Sequence, residues 1–409
     1  MKHHPPLRDG HQIKLLRGGL EFFPELIRAI DAARSHVQLE TYIFNFQGDG
    51  AGVAAALERA GLRGLRIWVV VDGVGTSRLP EEWRVRFQKA GVAWRIYSPL
   101  GTLGLLIPSR WRRLHRKLCV IDGQLAFCGG INILDDLHDP QYGTLNSPRL
   151  DFAVIATGAL VQQVQEATTQ LWWRLQTIRH VRQQNFPEAF SAFRASGVHV
   201  PWLHDEHQAG GPMLIAKAGL LLRDNVSNRF QIEKAYLKAI GTSRHEIVIA
   251  NAYFLPGRKI RQALVHATQR GVRVRLLLQG QYEYFMQYHA ARPVYRQLLK
   301  AGVEIYEYRP SFLHAKVAVI DAQHERPWAT VGSSNLDPLS LLLAREANVV
   351  VADSSFAKQL QASLEQAIAT QSDRIMPLSL LERSKLHRTM DWVAFGLMRL
   401  ALWLSGKRY

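Results

Sequence analysis

The chain has 409 residues, of which 47% are hydrophobic and 21% are charged. This balance excludes a disordered chain and predicts two or three globular domains with a sizeable core. The formal net charge of +17 favours a polyanionic partner, which is either a nucleic acid or an anionic bilayer.

The N-terminus and the cysteines indicate the compartment. No apolar stretch follows the first residues and no run of about 20 apolar residues occurs, so we expect neither a signal peptide nor a transmembrane helix. Cys119 and Cys128 are the only cysteines, and both lie in apolar runs, which predicts buried thiols in a reducing cytoplasm. Such a protein would meet a lipid from the cytoplasm and lie on the membrane surface.

The predicted elements occur twice in the same order. The first half has helical patterns over 26–30 and 53–60, and strands over 37–44 and 65–71. The second half has helical patterns over 232–240 and 260–268, and strands over 246–254 and 272–278. A further strand follows Ala-Gly-Val in each half, at Ala90 and Ala301. Because strands alternate with helices, we predict parallel strands joined by right-handed crossovers and flanked by helices.

The stretch between the halves loses periodicity and gains proline, glycine and histidine. We predict a first domain over 1–180, a linker over 181–212, a second domain over 213–378, and a membrane-associating C-terminal segment over 379–409. The run His204-Asp205-Glu206-His207 could ligate a metal, but no third cluster with ligand spacing lies nearby. A solvated loop is the better interpretation, and no metal is expected.

Each half contains one H-x-K-x-x-x-x-D motif. The two copies are His115-Lys117-Asp122 and His314-Lys316-Asp321. Four apolar residues separate lysine from aspartate in each copy, which predicts a buried strand. Side chains two residues apart on a strand face the same way, so the histidine and the lysine project together. All six residues enter the candidate catalytic set, although the spacing suits each aspartate better to pin a turn than to touch substrate.

A small-residue turn that ends in asparagine follows each motif. The turns are Gly129-Gly130-Ile131-Asn132 and Gly332-Ser333-Ser334-Asn335. Such turns bring backbone N–H groups and an amide donor close to an anion without steric cost. A histidine, a lysine and a donor turn, each present twice, predict a site that holds one phosphate group from both sides. One copy could arise by chance, but two copies at matching places are hard to explain structurally.

Several segments resemble the phospholipase D superfamily and, more narrowly, the short form of the bacterial cardiolipin synthases. The segments are 39–41, 249–254, Tyr308-Arg309-Pro310, 313–316 and the long signature 329–341. The resemblance spans roughly residues 10–380. It implies an α/β fold of two pseudo-symmetric phospholipase D-like α/β/α sandwich domains, packed face to face with the active site between them.

The resemblance also implies a two-step phosphodiester transfer through a phosphohistidine intermediate. Neutral imidazole can attack phosphorus and protonated imidazole can give its proton to the leaving alkoxide. The motifs are too alike for their letters to assign these roles, and the resemblance assigns His115 as nucleophile and His314 as general acid. The groups expected to bind the phosphate oxygens are Lys117, Lys316, Asn132, Asn335 and Ser333. With two lysines present, no metal or other cofactor is expected.

Two carboxylates would orient the histidines by holding the far ring nitrogen. The resemblance gives this role to Asp151 and Glu346, and the alternative is that both are surface acids at strand starts. The family often has Asn-Leu just before the glutamate, whereas this chain has Ala344-Arg345. This departure leaves the details of the second half-site open.

The implied reaction transfers a phosphatidyl group from phosphatidylglycerol to a second phosphatidylglycerol, which gives cardiolipin and free glycerol. Phosphatidylethanolamine could serve as the donor instead, and water as the acceptor would give hydrolysis. A nuclease is a second enzyme hypothesis that the positive charge permits, and an inactive anionic-membrane binding module is a third. Apolar loops beside the motif argue against nucleic acid as a partner, because a nuclease groove should be polar and basic. Two intact motifs argue against an inactive module.

Three segments favour a membrane surface, which places the protein peripherally on the cytoplasmic face of the inner membrane. An apolar loop with a basic end, 100–114, leads into the first motif, and it could instead be a packed loop. The aromatic residues between Tyr282 and Tyr288 fit an interface or a core equally. The C-terminal stretch 392–404 is apolar nearly all round. We predict an in-plane anchor there, with a helix docked on the body as the alternative.

Overall fold

The same order of elements occurs twice along the chain, which confirms the internal repeat. The computed structural model describes residues 7–101, 108–195, 213–224, 228–282, 285–376 and 385–404. The strands of the first half are β1 (Arg8–Arg17), β2 (His36–Thr41), β3 (Arg66–Asp72), β4 (Ala93–Tyr97), β5 (Arg113–Leu114), β6 (Lys117–Ile121), β7 (Leu125–Gly129), β8 (His138–Asp139), β9 (Gly143–Thr144) and β10 (Phe152–Ala156). Its helices are α1 (Gly18–Ala32), α2 (Gly48–Leu62), α3 (Glu81–Lys89) and α4 (Ala159–Arg182).

The second half repeats this series after a short helix, α5 (Phe186–Ala195). Its strands are β11 (Leu214–Arg223), β12 (Glu246–Asn251), β13 (Arg273–Gln279), β14 (Glu304–Tyr308), β15 (Lys316–Ile320), β16 (Trp328–Gly332), β17 (Ala344–Val351) and β18 (Ser372–Arg374). Its helices are α6 (Gln231–Thr242), α7 (Arg258–Gln269), α8 (Phe285–Lys300), α9 (Pro338–Leu342), α10 (Ser354–Thr370) and α11 (Lys385–Leu404). Helix α5 lies within the predicted linker, whereas the run 204–207 lies outside the described residues.

Each half contributes strands in the same spatial order. The orders are β1-β10-β7-β6-β2-β3-β4 and β11-β17-β16-β15-β12-β13-β14-β18. Strands β2-β3-β4 and β12-β13-β14 pair in parallel, and the motif strands β6 and β15 pair antiparallel with both neighbours. The strands that alternate with helices are therefore parallel, as predicted, whereas the motif strands, for which the sequence indicated no direction, are antiparallel. The connections from β6 to β7 and from β15 to β16 are too short for a crossover helix.

Antiparallel pairing of β1 with β11 joins the two halves. A shared core lies between the halves and includes Leu118 and Val120 of β6 with Val317 and Val319 of β15. Helices α4 and α10 add side chains to this core, whereas α1–α3 and α6–α8 cover the outer faces of the two sheets. Two α/β/α sandwiches packed on each other confirm the fold class.

The apolar residues of each motif form the predicted strands. Alternate side chains of β6 and β15 reach the shared core and the outer cores, as in strands that are buried on both faces. Cys119 and Cys128 are buried, as predicted, and burial raises the pKa of both thiols.

The C-terminal helix α11 is docked on α8. This arrangement is the alternative that the sequence left open beside an in-plane anchor. Its Asp391 Oδ1 lies 2.6 Å from Nδ1 of His289, and Ala394 is buried against the second half. The opposite side of α11 exposes apolar side chains, which are Leu386, Trp392, Val393, Leu397 and Leu400. Within the described residues, no helix combines the length and the apolar character needed to cross a bilayer.

Candidate active site

The two motif histidines line one cavity. Each lies two residues before its motif strand, so the duplicated strands carry His115 and His314 to the junction of the halves. Both line a cavity of about 620 Å³, together with Asn132, Asn335 and Asp151. The structure therefore brings together residues that lie far apart in sequence, as the two-sided phosphate site requires.

The backbone of each histidine is bonded to the opposite half. His115 N donates to Arg345 O at 3.0 Å, and His314 N donates to Leu150 O at 2.9 Å. The segments around these bonds pair in parallel, β5 with the start of β17, and Leu313 with Leu150. Each acceptor is the residue just before a predicted orienting carboxylate, so the same two segments deliver that carboxylate to the ring.

Each imidazole ring is also held by a carboxylate of the opposite half. His115 Nδ1 lies 3.0 and 3.1 Å from the two Glu346 carboxylate oxygens, and His314 Nδ1 lies 2.6 Å from Asp151 Oδ2. Both carboxylates are buried, so neither is the surface acid that the sequence left as an alternative. A ring held through Nδ1 has Nε2 left to meet phosphorus or a leaving oxygen.

Burial dominates the electrostatics of the site. It lowers the pKa of His115 and lowers the pKa of His314 further, with the Lys316 charge adding to the second effect. Burial also raises the pKa of Asp151 to about 7. His314 and Asp151 are in direct contact, so they titrate as a pair. The raised pKa of the Asp151 carboxyl favours a proton in this pair.

The two motif lysines lie behind the histidines. Lys117 Nζ donates to His115 O at 2.7 Å, and Lys316 Nζ donates to His314 O. Burial, followed by the Lys316 charge, lowers the pKa of Lys117 to about 7. Both side chains thus fix the backbone carbonyl of the histidine in their own motif.

The donor turns follow the prediction in part. Asn132 Oδ1 accepts from Ile43 N at 3.1 Å and Asn335 Oδ1 accepts from Tyr253 N at 3.3 Å, which leaves each amide NH₂ group as the donor on the cavity wall. The expected role of Ser333 as a phosphate ligand is wrong. Its hydroxyl is fully buried and donates to the Glu346 carboxylate, because the turn packs directly against β17.

The motif aspartates lie outside the site, so their place in the catalytic set is corrected. Asp122 accepts from the N–H groups of residues 34–36, and Asp321 accepts from those of residues 244–246. Both have a left-handed backbone, with φ of 53° and 51°. Each lies five residues after its lysine, which is about 16 Å along a strand. They pin turns, as their spacing suggested.

Some cavity residues were missed by the sequence interpretation. Asp136 lines the wall, and burial raises its pKa to about 6. Arg149 pairs with Asp139 at 2.6 Å on the same wall. Arg113 pairs with Asp72 at 2.9 Å on the opposite side. Two positions in the sequence could have indicated these residues: Asp72 ends β3, and Arg113 lies two residues before the first motif histidine.

Comparisons with known proteins agree with this geometry. A family model described as the phospholipase D-like domain of cardiolipin synthase matches residues 26–142 and 236–368. Cardiolipin synthase B of Escherichia coli (strain K12) is 36% identical over 394 residues, which cover 96% of this chain and 89% of that protein. A cardiolipin synthase of Alkalihalophilus pseudofirmus is 29% identical over 358 residues, which cover 87% of this chain and 65% of that protein.

A solved structure shares the fold. The crystal structure of a phosphatidylserine synthase from Haemophilus influenzae aligns with a TM-score of 0.68 and 13% identity, covering 97% of this chain and 95% of that one. At this identity the likeness supports the fold alone, and it extends over both halves.

Proposed function

The chain belongs to the phospholipase D-like family of cardiolipin synthases, and we propose that it makes cardiolipin from two molecules of phosphatidylglycerol. It is a phosphatidyltransferase of the phospholipase D superfamily. The observation that carries the proposal is the crossed pairing of His115 with Glu346 and of His314 with Asp151 around one cavity. This arrangement supplies one nucleophile and one proton donor to a single phosphorus atom.

The first step forms the covalent intermediate. His115 Nε2 attacks phosphorus, the bond from phosphorus to the glycerol oxygen breaks, and the proton of the His314–Asp151 pair passes to that oxygen. Glycerol leaves with this proton. Glu346 stabilises the positive charge that develops on the His115 ring through its bond to Nδ1.

The second step reverses the roles of the groups around His314. A hydroxyl of the second phosphatidylglycerol gives its proton to His314, attacks phosphorus and displaces His115 Nε2. The product is cardiolipin and the enzyme is restored. Lys117, Lys316 and the Asn132 and Asn335 amides would stabilise the charge on the phosphate oxygens in both steps. Water in place of the lipid hydroxyl would give phosphatidic acid.

The cavity lining favours a lipid over a nucleic acid as substrate. Apolar side chains contribute to the wall beside the charged groups, and they are Ile43, Val74, Leu134 and Leu343. Such a wall suits the glycerol backbone and first acyl carbons of a phospholipid, whereas a nucleic acid groove uses stacking platforms and basic side chains.

We also propose that the exposed face of α11 lies on an anionic bilayer. A narrow groove lined by Met398 of α11 and Tyr288 of α8 continues to Tyr253 and Asp337, and these two residues also line the active-site cavity. Met398 lies on the side of α11 that packs on the second half, so the docked side of this helix reaches the groove that leads to the histidines. The net charge of +17 favours anionic headgroups. The loop residues 102–107, which the sequence also assigned to the membrane, lie outside the described residues.

The test is a product assay with three substrates. Purified protein is incubated with phosphatidylglycerol vesicles, with phosphatidylethanolamine added to such vesicles, and with single-stranded DNA. We expect cardiolipin and free glycerol from phosphatidylglycerol alone, and loss of both in His115→Ala and His314→Ala. His266→Ala changes an exposed histidine of α7 and should retain full activity. DNA cleavage without lipid turnover would overturn the proposal, as would a wild-type protein that binds vesicles and forms no product.

A further inference from the structure

The two half-sites differ in one buried cation. Arg223, the last residue of β11, lies directly opposite Glu346 of β17 and is 1% exposed. Residues directly opposite each other on antiparallel strands share a face of the sheet. The corresponding strand of the first half, β1, ends at Arg17 opposite Phe152, and Gly18 follows with its N–H on the Asp151 carbonyl at 2.9 Å. Asp151 therefore faces a glycine where Glu346 faces an arginine.

Arg223 is bonded to the segment that holds the first histidine. Its Nη1 donates to the carbonyl of Ala344, the first residue of β17. The next two residues both bind His115, Arg345 through its carbonyl and Glu346 through its carboxylate. Arg345 is fixed in turn by Tyr97, whose hydroxyl accepts from Arg345 Nε at 3.4 Å. The Ala344-Arg345 pair that departs from the family pattern is thus held from both sides.

Arg223 and Glu346 are both buried, and their opposite charges attract each other. Burial lowers the pKa of Arg223 to about 10, and the negative charge of Glu346 is the foremost influence that opposes this shift. The guanidinium therefore stays charged at neutral pH. A buried cation stabilises negative charge on its neighbours. The Glu346 carboxylate and the Ser333 carbonyl both lie within hydrogen-bond reach of His115 Nδ1, so they hold a proton there and leave Nε2 free of one.

We propose that Arg223 is a positioning residue, which anchors the segment 344–346 and places a buried positive charge on the Glu346 side of the sheet, so that His115 is held through Nδ1 and presents an unprotonated Nε2. This inference rests on the proposed function only in that His115 must act on a phosphodiester. It distinguishes the two half-sites, because His314 has no such cation opposite its carboxylate. Phosphatidic acid formation can report on it as well as cardiolipin formation can.

The test compares Arg223→Met, Arg223→Lys and Arg275→Met by the pH dependence of kcat/KM with phosphatidylglycerol vesicles. Arg275 is another buried arginine of the second half, paired with Glu246 and Glu365 away from the site. Removing a positive charge raises the pKa of neighbouring groups. In the kcat/KM profile of Arg223→Met, the acid limb should therefore move to higher pH by about one unit. We expect kcat to fall about tenfold or more with little change in KM.

The other variants separate charge from folding. Arg223→Lys keeps the charge and should restore the position of the acid limb, with kcat between those of wild type and Arg223→Met. Arg275→Met should reduce the free energy of unfolding while leaving the acid limb in place. An unshifted acid limb in Arg223→Met, or an equal shift in Arg275→Met, would overturn the inference. A wild-type enzyme without any His115-dependent lipid turnover would instead refute the proposed function.

Discussion

At the scale of single residues, the crossed carboxylates make each catalytic histidine depend on the other half of the chain. Asp151 precedes β10 in the first half and holds His314, and Glu346 lies on β17 in the second half and holds His115. A catalytic imidazole held in this way has a fixed tautomer, and loss of the carboxylate in such a pair costs far more than one hydrogen bond.

Asp151→Asn keeps the shape of the side chain and removes its charge. Because burial already lowers the pKa of His314, loss of the carboxylate lowers it further, and the acid form disappears at lower pH. We expect kcat to fall about 10³-fold or more and the basic limb of the kcat/KM profile to move to lower pH. Asp139→Asn, which removes a cavity carboxylate paired with Arg149, is the matched control and should leave that limb in place. An unchanged basic limb in Asp151→Asn would contradict the proton-sharing pair.

Lys117 is expected to reduce stability at neutral pH. Burial lowers its folded-state pKa from 10.5 to about 7. Between these values the unfolded chain binds more protons than the folded chain, so the free energy of unfolding rises with pH in this window. Below pH 7 both states bind the proton, so the pH dependence ends and the destabilisation is at its largest.

Lys117→Met should therefore be more stable than wild type at pH 7, although it loses lipid transfer. Its free energy of unfolding should rise less steeply between pH 7 and pH 9.5 than that of wild type. Urea unfolding at several pH values measures both slopes. Lys89→Met, which changes an exposed lysine of α3, should keep the wild-type slope. The expectation fails if Lys117→Met and wild type show parallel profiles.

At the scale of elements, each motif aspartate fixes the end of its strand to the start of a neighbouring one. Asp122 closes the turn before β2 and Asp321 closes the turn before β12, in both cases through three backbone N–H groups. The motif thus combines two side chains of the proposed active site with one structural anchor, which lies about 16 Å from the lysine.

Asp122→Ala should destabilise the fold by about 3 kcal/mol, because it leaves several backbone N–H groups without their charged acceptor and puts alanine in a left-handed conformation. Activity per folded molecule should stay within about twofold of wild type, since the side chain does not reach the cavity. Urea unfolding and kcat corrected for the folded fraction check the two parts. Asp353→Ala, which removes the N-cap acceptor of α10, is a control with an expected cost of about 1 kcal/mol. A catalytic loss in the fully folded Asp122→Ala protein would assign this aspartate a chemical role after all.

The sequence predicted the elements that depend on local patterns and missed those that depend on distant pairing. Apolar runs between lysine and aspartate identified β6 and β15, and the small-residue turns identified Asn132 and Asn335. The antiparallel pairing of β1 with β11 has no local signature, because a strand pattern does not reveal its partner. The prediction that Ser333 binds phosphate was wrong for the same reason. The sequence of the turn does not reveal the strand against which the turn packs.

At the scale of the whole molecule, duplication explains why the site forms only when both halves are in place. Each half contributes a histidine, a lysine and a carboxylate, but the hydrogen bonds that hold each ring cross from one half to the other. The resemblance to a known family indicated which carboxylates take part. The crossing itself follows from the pairing of β1 with β11 and of β5 with β17, which joins strands about 200 or more residues apart.

The proposed membrane orientation of the whole molecule depends on the exposed apolar side of α11. Val393 and Leu397 of α11 are 54% and 52% exposed, so neither contributes much to the docking of this helix on α8. Val393→Asp/Leu397→Asp should weaken binding to phosphatidylglycerol vesicles by about tenfold or more, because two apolar contacts with the interface are replaced by charges that anionic headgroups repel.

The same double variant should retain wild-type kcat on a short-chain phosphatidylglycerol that is monomeric in solution, since the histidines are untouched. Leu20→Asp/Leu62→Asp changes two other exposed apolar residues, in the first half, and should leave vesicle binding nearly unchanged. Vesicle sedimentation at fixed ionic strength measures the affinity. If both double variants lose binding equally, the net charge alone carries the association, and if neither does, the bilayer contacts a different face of the molecule.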